Sequence, residues 1–82
     1  MAALFDWDPT KNEENKRKHG VPFTLAQLAF LDPRRVIADD IGHSEGERRF
    51  YCFGKVADRV MTVRFTMRKG RKIYEEIQRI HG

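Results

Sequence analysis

The sequence predicts an α+β domain: a small antiparallel sheet, elements in the order β-α-α-β-β-β-α, and helices packed on one side. Three observations lead there. An early helix is framed by Asp8-Pro9 at its start and His19-Gly20 at its end. A run of β-forming residues, FYCFG and then VMTVRFT, follows two helical segments. The last segment carries Ile73, Ile77 and Ile80 at i, i+4 and i+7, the spacing of one helix face. With 82 residues, one domain spanning 1–82 is expected.

Each element has its own signal. Leu4, Phe5 and Trp7, with Asp6 between them, predict a short strand or extended anchor. Asp8 is a helix N-cap, and Pro9 takes the first helical position, where a missing N–H costs nothing. Lys16, Arg17 and Lys18 near the other end suit the helix dipole, and Gly20 can adopt the left-handed stop. This helix, 9–19, has few apolar positions, so much of it faces water or a partner. Phe23, Leu25, Leu28, Ala29 and Leu31 mark the apolar face of a second, short helix that Asp32-Pro33 ends. Val36 and Ile37 make 34–39 β-compatible, and 42–48 is a polar loop. Residues 49–55 read as a buried strand, and VADR as a hairpin connection. In 60–66, Met61, Val63 and Phe65 fall on one face and Thr62, Arg64 and Thr66 on the other. A helix is predicted from about 68 to 80, with Tyr74 beside its isoleucines.

The net charge is +4. Residues 1–57 hold nine Lys/Arg and nine Asp/Glu, whereas 58–82 hold seven against three, so the whole excess sits in the last 25 residues. That asymmetry points to a polyanion, with a solvated basic helix as the plainer alternative. No apolar run approaches the length of a membrane span, and the opening MAALFDWDPT lacks the pattern of a secretory signal. A cytoplasmic protein is expected. The single cysteine, Cys52, lies inside an apolar run and reads as a small core residue. His19, His43 and His81 lack ligand spacing, and no phosphate-binding glycine motif is present, so neither metal nor cofactor is expected.

Several stretches taken together resemble a known family. They are FDWDPTKNEENKRKHGVPF, FLDP, DDIGHSEGERRFYCFG, VMTVRFT and RKGRKIYEE. In this order and spacing they are similar to the BrnT-type toxins, ribonucleases of type II toxin–antitoxin pairs. The similarity covers about residues 4 to 76. It implies a RelE-like fold, RNA cleavage (mRNA foremost) and neutralisation by a cognate BrnA-like antitoxin with a ribbon-helix-helix domain. DNA is then contacted only indirectly, through the antitoxin. The assemblies to distinguish are a homodimer and a 2:2 complex. Against the family pattern, Thr66 runs almost directly into the basic segment, which reads as deletion of one strand before the last helix. Gly70 stands where many relatives have the Glu of a Glu-Arg pair. An open sheet edge, prone to self-association or covered by antitoxin, is the expected result.

A metal-independent ribonuclease needs a base for the 2′-hydroxyl, an acid for the leaving oxygen and cations for the phosphorane-like transition state. Arg64 is the strongest cation candidate, because a guanidinium binds phosphate in a bidentate way; its alternative is a strand arginine paired with an acid. Arg68 and Arg71, three apart at the predicted helix start, would share a face near free N–H groups. Lys69 and Lys72 would supply sequence-independent attraction to RNA, with Thr66 beside Arg64. Glu75 is the candidate acid or base, and a salt bridge to Arg71 four residues earlier is its simpler reading. His43 offers an imidazole suited to proton transfer near neutral pH, whereas His19 reads as a helix cap. Phe50, Tyr51 and Phe53 read as core rather than as a base-stacking platform. Two functions therefore stand: a ribonuclease, or a truncated non-catalytic relative that binds antitoxin or RNA.

Overall fold

The computed structural model describes residues 4–43 and 46–79. Among them are β1 (Phe5–Trp7), α1 (Pro9–His19), α2 (Ala26–Phe30), β2 (Val36–Asp39), β3 (Arg49–Val56), β4 (Arg59–Arg68) and β5 (Arg71–Arg79). The α+β class and the element order through β4 agree with the sequence reading. The five strands form one sheet in the order β1-β5-β4-β3-β2. It is mixed rather than purely antiparallel, because β1 runs parallel to β5. None of the helices of the described residues is long and apolar enough to cross a membrane.

The principal correction concerns the last element. Residues 71–79 are a strand, not a helix. Lys69 (φ 50°) and Gly70 (φ 79°) form a two-residue hairpin loop, and Arg68 pairs directly with Arg71. Two consecutive positive φ values are the mark of a type I′ turn, whose twist matches the flanking strands. The strand read as deleted is therefore β5 itself. The isoleucines that suggested a helix do not share a face: Ile73 pairs with Thr66 and Ile77 with Val63, on opposite sides of the sheet, and Ile80 lies outside the described residues. Arg64 pairs with Glu76 but Phe65 pairs with Tyr74, so Glu75 is an extra residue in a β-bulge. The bulge resets the alternation, and Tyr74 and Ile77, three apart, both point into the core (1% and 0% exposed).

The outer edge of β5 is not left open. Leu4 accepts a hydrogen bond from the Lys72 N–H (2.9 Å), and β1 pairs residues 72–74. Beyond β1 the chain turns into α1, whose Asn15 takes over the pairing. Its side-chain amide donates to the Ile77 carbonyl (2.8 Å) and accepts from the Ile77 N–H (3.0 Å), as a strand residue would. It also donates to the Val21 carbonyl (2.8 Å). Asn15 is the one buried residue of α1. The cap predicted at Asp8 is present, with its carboxylate accepting from the Thr10 N–H, and Gly20 (φ 68°) closes the helix onto Lys16.

The core lies between α2 and the sheet, where Phe23, Ala29, Val63 and Cys52 are fully buried. Gly54 of β3 permits the closest approach: a Cβ there would lie 2.2 Å from the Ala29 carbonyl oxygen. Trp7 stacks on Tyr74 (centroids 5.7 Å apart), and Phe23 meets Tyr74 edge-on. Of the aromatics read as core in β3, Phe50 packs on Phe65, whereas Tyr51 and Phe53 pack on each other on the opposite face. A strand paired on both sides has two faces, and α2 covers only one.

Candidate active site

Alternation along β4 sends Thr62, Arg64 and Thr66 to the face away from α2, as the sequence predicts, and Arg68, expected at a helix start, follows them as a strand residue. Cross-strand register places Tyr51 on one side of Arg64 and Glu76 on the other. The bulge turns Glu75 and Glu76 toward the groove beside α1. There a cleft of about 180 Å³ is lined by Lys11, Glu14, Asn15, Lys18, Arg64, Glu75 and Glu76. Helical spacing explains the contribution of α1, since Lys11, Glu14, Asn15 and Lys18 recur at three and four residues along one face.

Two chains of charge lead out of this cleft, one from Glu75 and one from Glu76. Glu75 is 7% exposed at its side chain and is held between Lys11 and Arg49, whose Nε lies 3.4 Å away. Burial pushes the Glu75 carboxyl up, but the Lys11 and Arg49 cations outweigh it and hold the group below the usual glutamate value. Arg49 also approaches Glu47 (3.9 Å), and Glu47 takes a two-pronged grip from Arg68 through Nε and Nη2, both 2.8 Å. That grip lowers the Glu47 pKa. The second chain is His19–Glu76–Arg64. The imidazole Nε2 lies 3.2 Å from one Glu76 oxygen, and Arg64 Nη2 lies 3.9 Å from the other. Arg64 is 24% exposed, and its Nε is buried with no hydrogen-bond partner among the described residues. A buried guanidinium N–H without an acceptor is costly unless something fills the space beside it.

The predicted residues do not all converge. Arg64 and Glu75 line the same cleft. Arg68, Lys69 and Arg71 sit at the β4–β5 hairpin and line a separate, wider recess with Leu4, Asp6 and Ile73. Four strand residues place Arg68 about 13 Å from Arg64 along the backbone. Arg68 and Arg71 do share a face, as cross-strand partners rather than as helix neighbours. Arg71 pairs with Asp6 (3.6 Å), so Glu75 is not its partner. The Thr66 hydroxyl is 1% exposed as a residue and donates to the Arg48 carbonyl (2.7 Å). Lys72 points to the helix face, its ammonium over the rings of Phe5 and Phe30. The side chain of His43, and the whole of His81, lie outside the described residues. Cys52 is fully buried and burial pushes its thiol up to about 11, which suits a core residue.

With this geometry, comparison decides the kinship. A family model described as the ribonuclease toxin BrnT of type II toxin–antitoxin systems matches residues 7–80. The chain belongs to the BrnT family. No curated protein matches it. Membership in a type II toxin–antitoxin family brings with it an antitoxin as partner. In this BrnT chain the residues that sequence reasoning missed are Lys11, Arg49 and the His19–Glu76 pair. His19 is more than a helix cap: its ring faces an acid 57 positions away in the chain. One usable signal was the KHG stretch itself, in which an imidazole ends a strongly basic helix.

Proposed function

We propose that this BrnT toxin cleaves RNA, mRNA foremost, without a metal, in the cleft between α1 and β4–β5. The observation that carries the reading is the buried, unpartnered Nε of Arg64 beside Lys11 and Lys18. A phosphodiester there would supply the missing acceptor and be flanked by cations as charge develops on it. Glu75, ionised between Lys11 and Arg49, is a weak base; its role is to hold those two cations at the cleft. Proton transfer falls to His19, oriented by Glu76 through Nε2, which leaves Nδ1 for the substrate. Arg68, Lys69 and Arg71 on the hairpin attract the RNA backbone outside the cleft. Thr66 and Lys72 do not belong to this site, the first because its hydroxyl is engaged and the second because it faces α2.

The finer family traits belong to the same proposal: a RelE-like single domain acting in the cytoplasm and silenced by a BrnA-like ribbon-helix-helix antitoxin that makes the DNA contacts. A 2:2 complex fits a dimeric antitoxin. A second reading, a non-catalytic antitoxin or RNA binder, draws on the internal neutralisation of Arg64 by Glu76, Arg68 by Glu47 and Arg71 by Asp6.

The test is cleavage of a defined RNA in chelator, using the natural chain, Arg64→Ala and His19→Gln. Each substitution should slow cleavage by roughly 10²–10³-fold with the fold intact. Absence of cleavage by the natural chain, with antitoxin binding retained, selects the second reading.

A further inference from the structure

One edge of the sheet is closed by β1 and Asn15, but β2 at the other has no outer partner strand among the described residues. All four of its residues are exposed, Val36 at 57% and Ile37 at 48%. The Asp40 N–H bonds the Arg49 carbonyl (2.9 Å). Antiparallel ladders alternate, so the backbone groups of Val36 and Ala38 also turn toward β3. Those of Ile37 and Asp39 turn outward, where no strand meets them among the described residues. A bare strand with exposed β-branched residues is a template for another strand.

The flanking charges select the occupant. The stretch Arg34-Arg35-Val36-Ile37-Ala38-Asp39-Asp40 is basic at one end, apolar in the middle and acidic at the other. We propose that β2 is a homodimerisation edge, on which a second copy of this chain lays its own β2 antiparallel about a twofold axis through Ile37. In that register Ile37 meets its own copy and the two exchange both outward backbone hydrogen bonds. Val36 meets Ala38 on one face of the joined sheet. On the other face Arg35 meets Asp39, and the twofold repeats each contact. Asp39 already holds Arg48 through one oxygen (2.7 Å), and its second oxygen accepts Arg35. A partner segment of one charge would satisfy only one end of β2, whereas a second copy satisfies both. The inference stands apart from the nuclease reading, since none of these residues lines the cleft.

The experiment is sedimentation velocity of the full chain over a concentration series, with Arg35→Asp and Asp39→Arg alone and mixed. The natural chain should dimerise. Each single variant places like charges opposite one another twice and should weaken dimerisation by about tenfold or more. An equimolar mixture of the two should recover a mixed dimer, because both pairs are then opposite in sign. Ile37→Cys adds an independent measurement: mild oxidation should link two chains through that position. A natural chain monomeric throughout the series overturns the proposal. So does folded Arg35→Asp protein that dimerises undiminished, or Ile37→Cys protein that does not cross-link. Monomeric chain whose β2 amides become protected only on adding antitoxin would assign the edge to the antitoxin instead.

Discussion

Replacing Asn15 by alanine tests how the sheet is joined to α1. The side chain makes three hydrogen bonds, all to backbone: to the Val21 carbonyl, the Ile77 carbonyl and the Ile77 N–H. Asn15 is 4% exposed, so water cannot readily replace it. Each bond contributes about 1 kcal/mol net, and each group stranded without a partner costs about 1–3 kcal/mol. Alanine returns up to about 0.7 kcal/mol through its better helix propensity. Three stranded groups at that cost, less the helix term, give an expected loss of about 2–8 kcal/mol, a large share of the roughly 4–12 kcal/mol typical of a chain this long. Urea unfolding followed by circular dichroism measures the loss, and hydrogen exchange at the Ile77 amide locates it. A loss under about 1 kcal/mol, or unchanged protection at Ile77, would show that α1 is held to β5 by something else.

Three further perturbations probe other joints. Gly54→Ala drives a methyl into the Ala29 backbone and should cost about 1–3 kcal/mol or more, read as a lower melting temperature with α2 amides exchanging first. Ala57 sits at φ 56° in the β3–β4 hairpin, so Ala57→Gly should raise stability by about 0.5–1 kcal/mol in urea titration. The third uses pH. The folded Glu75 pKa lies below its unfolded value, so its ion pairs stabilise the protein fully above that value, about 4.3. This contribution is lost as pH falls through the lower folded value. Glu75→Gln should therefore be less stable than the natural chain at pH 7, with the gap closing below about pH 4. A gap independent of pH would mean that the carboxylate charge is not what holds Lys11 and Arg49.

What was legible in the sequence was written locally. The start and stop of α1 depend on Asp8, Pro9 and Gly20, all within a few residues of the groups they cap. The alternation in β4 put Arg64 on the correct face before any partner strand was known, and the ordered motifs carried the family. The identity of β5 was hidden because its isoleucines fall at helical spacing while the bulge at Glu75 breaks the strand alternation; only pairing with β4 distinguishes the two. The site was less legible still. Glu75 meets Lys11 across 64 positions and Arg49 across 26, while Glu76 meets His19 across 57. Such meetings follow from strand order and register, which contacts distant along the chain decide and no short window of residues encodes.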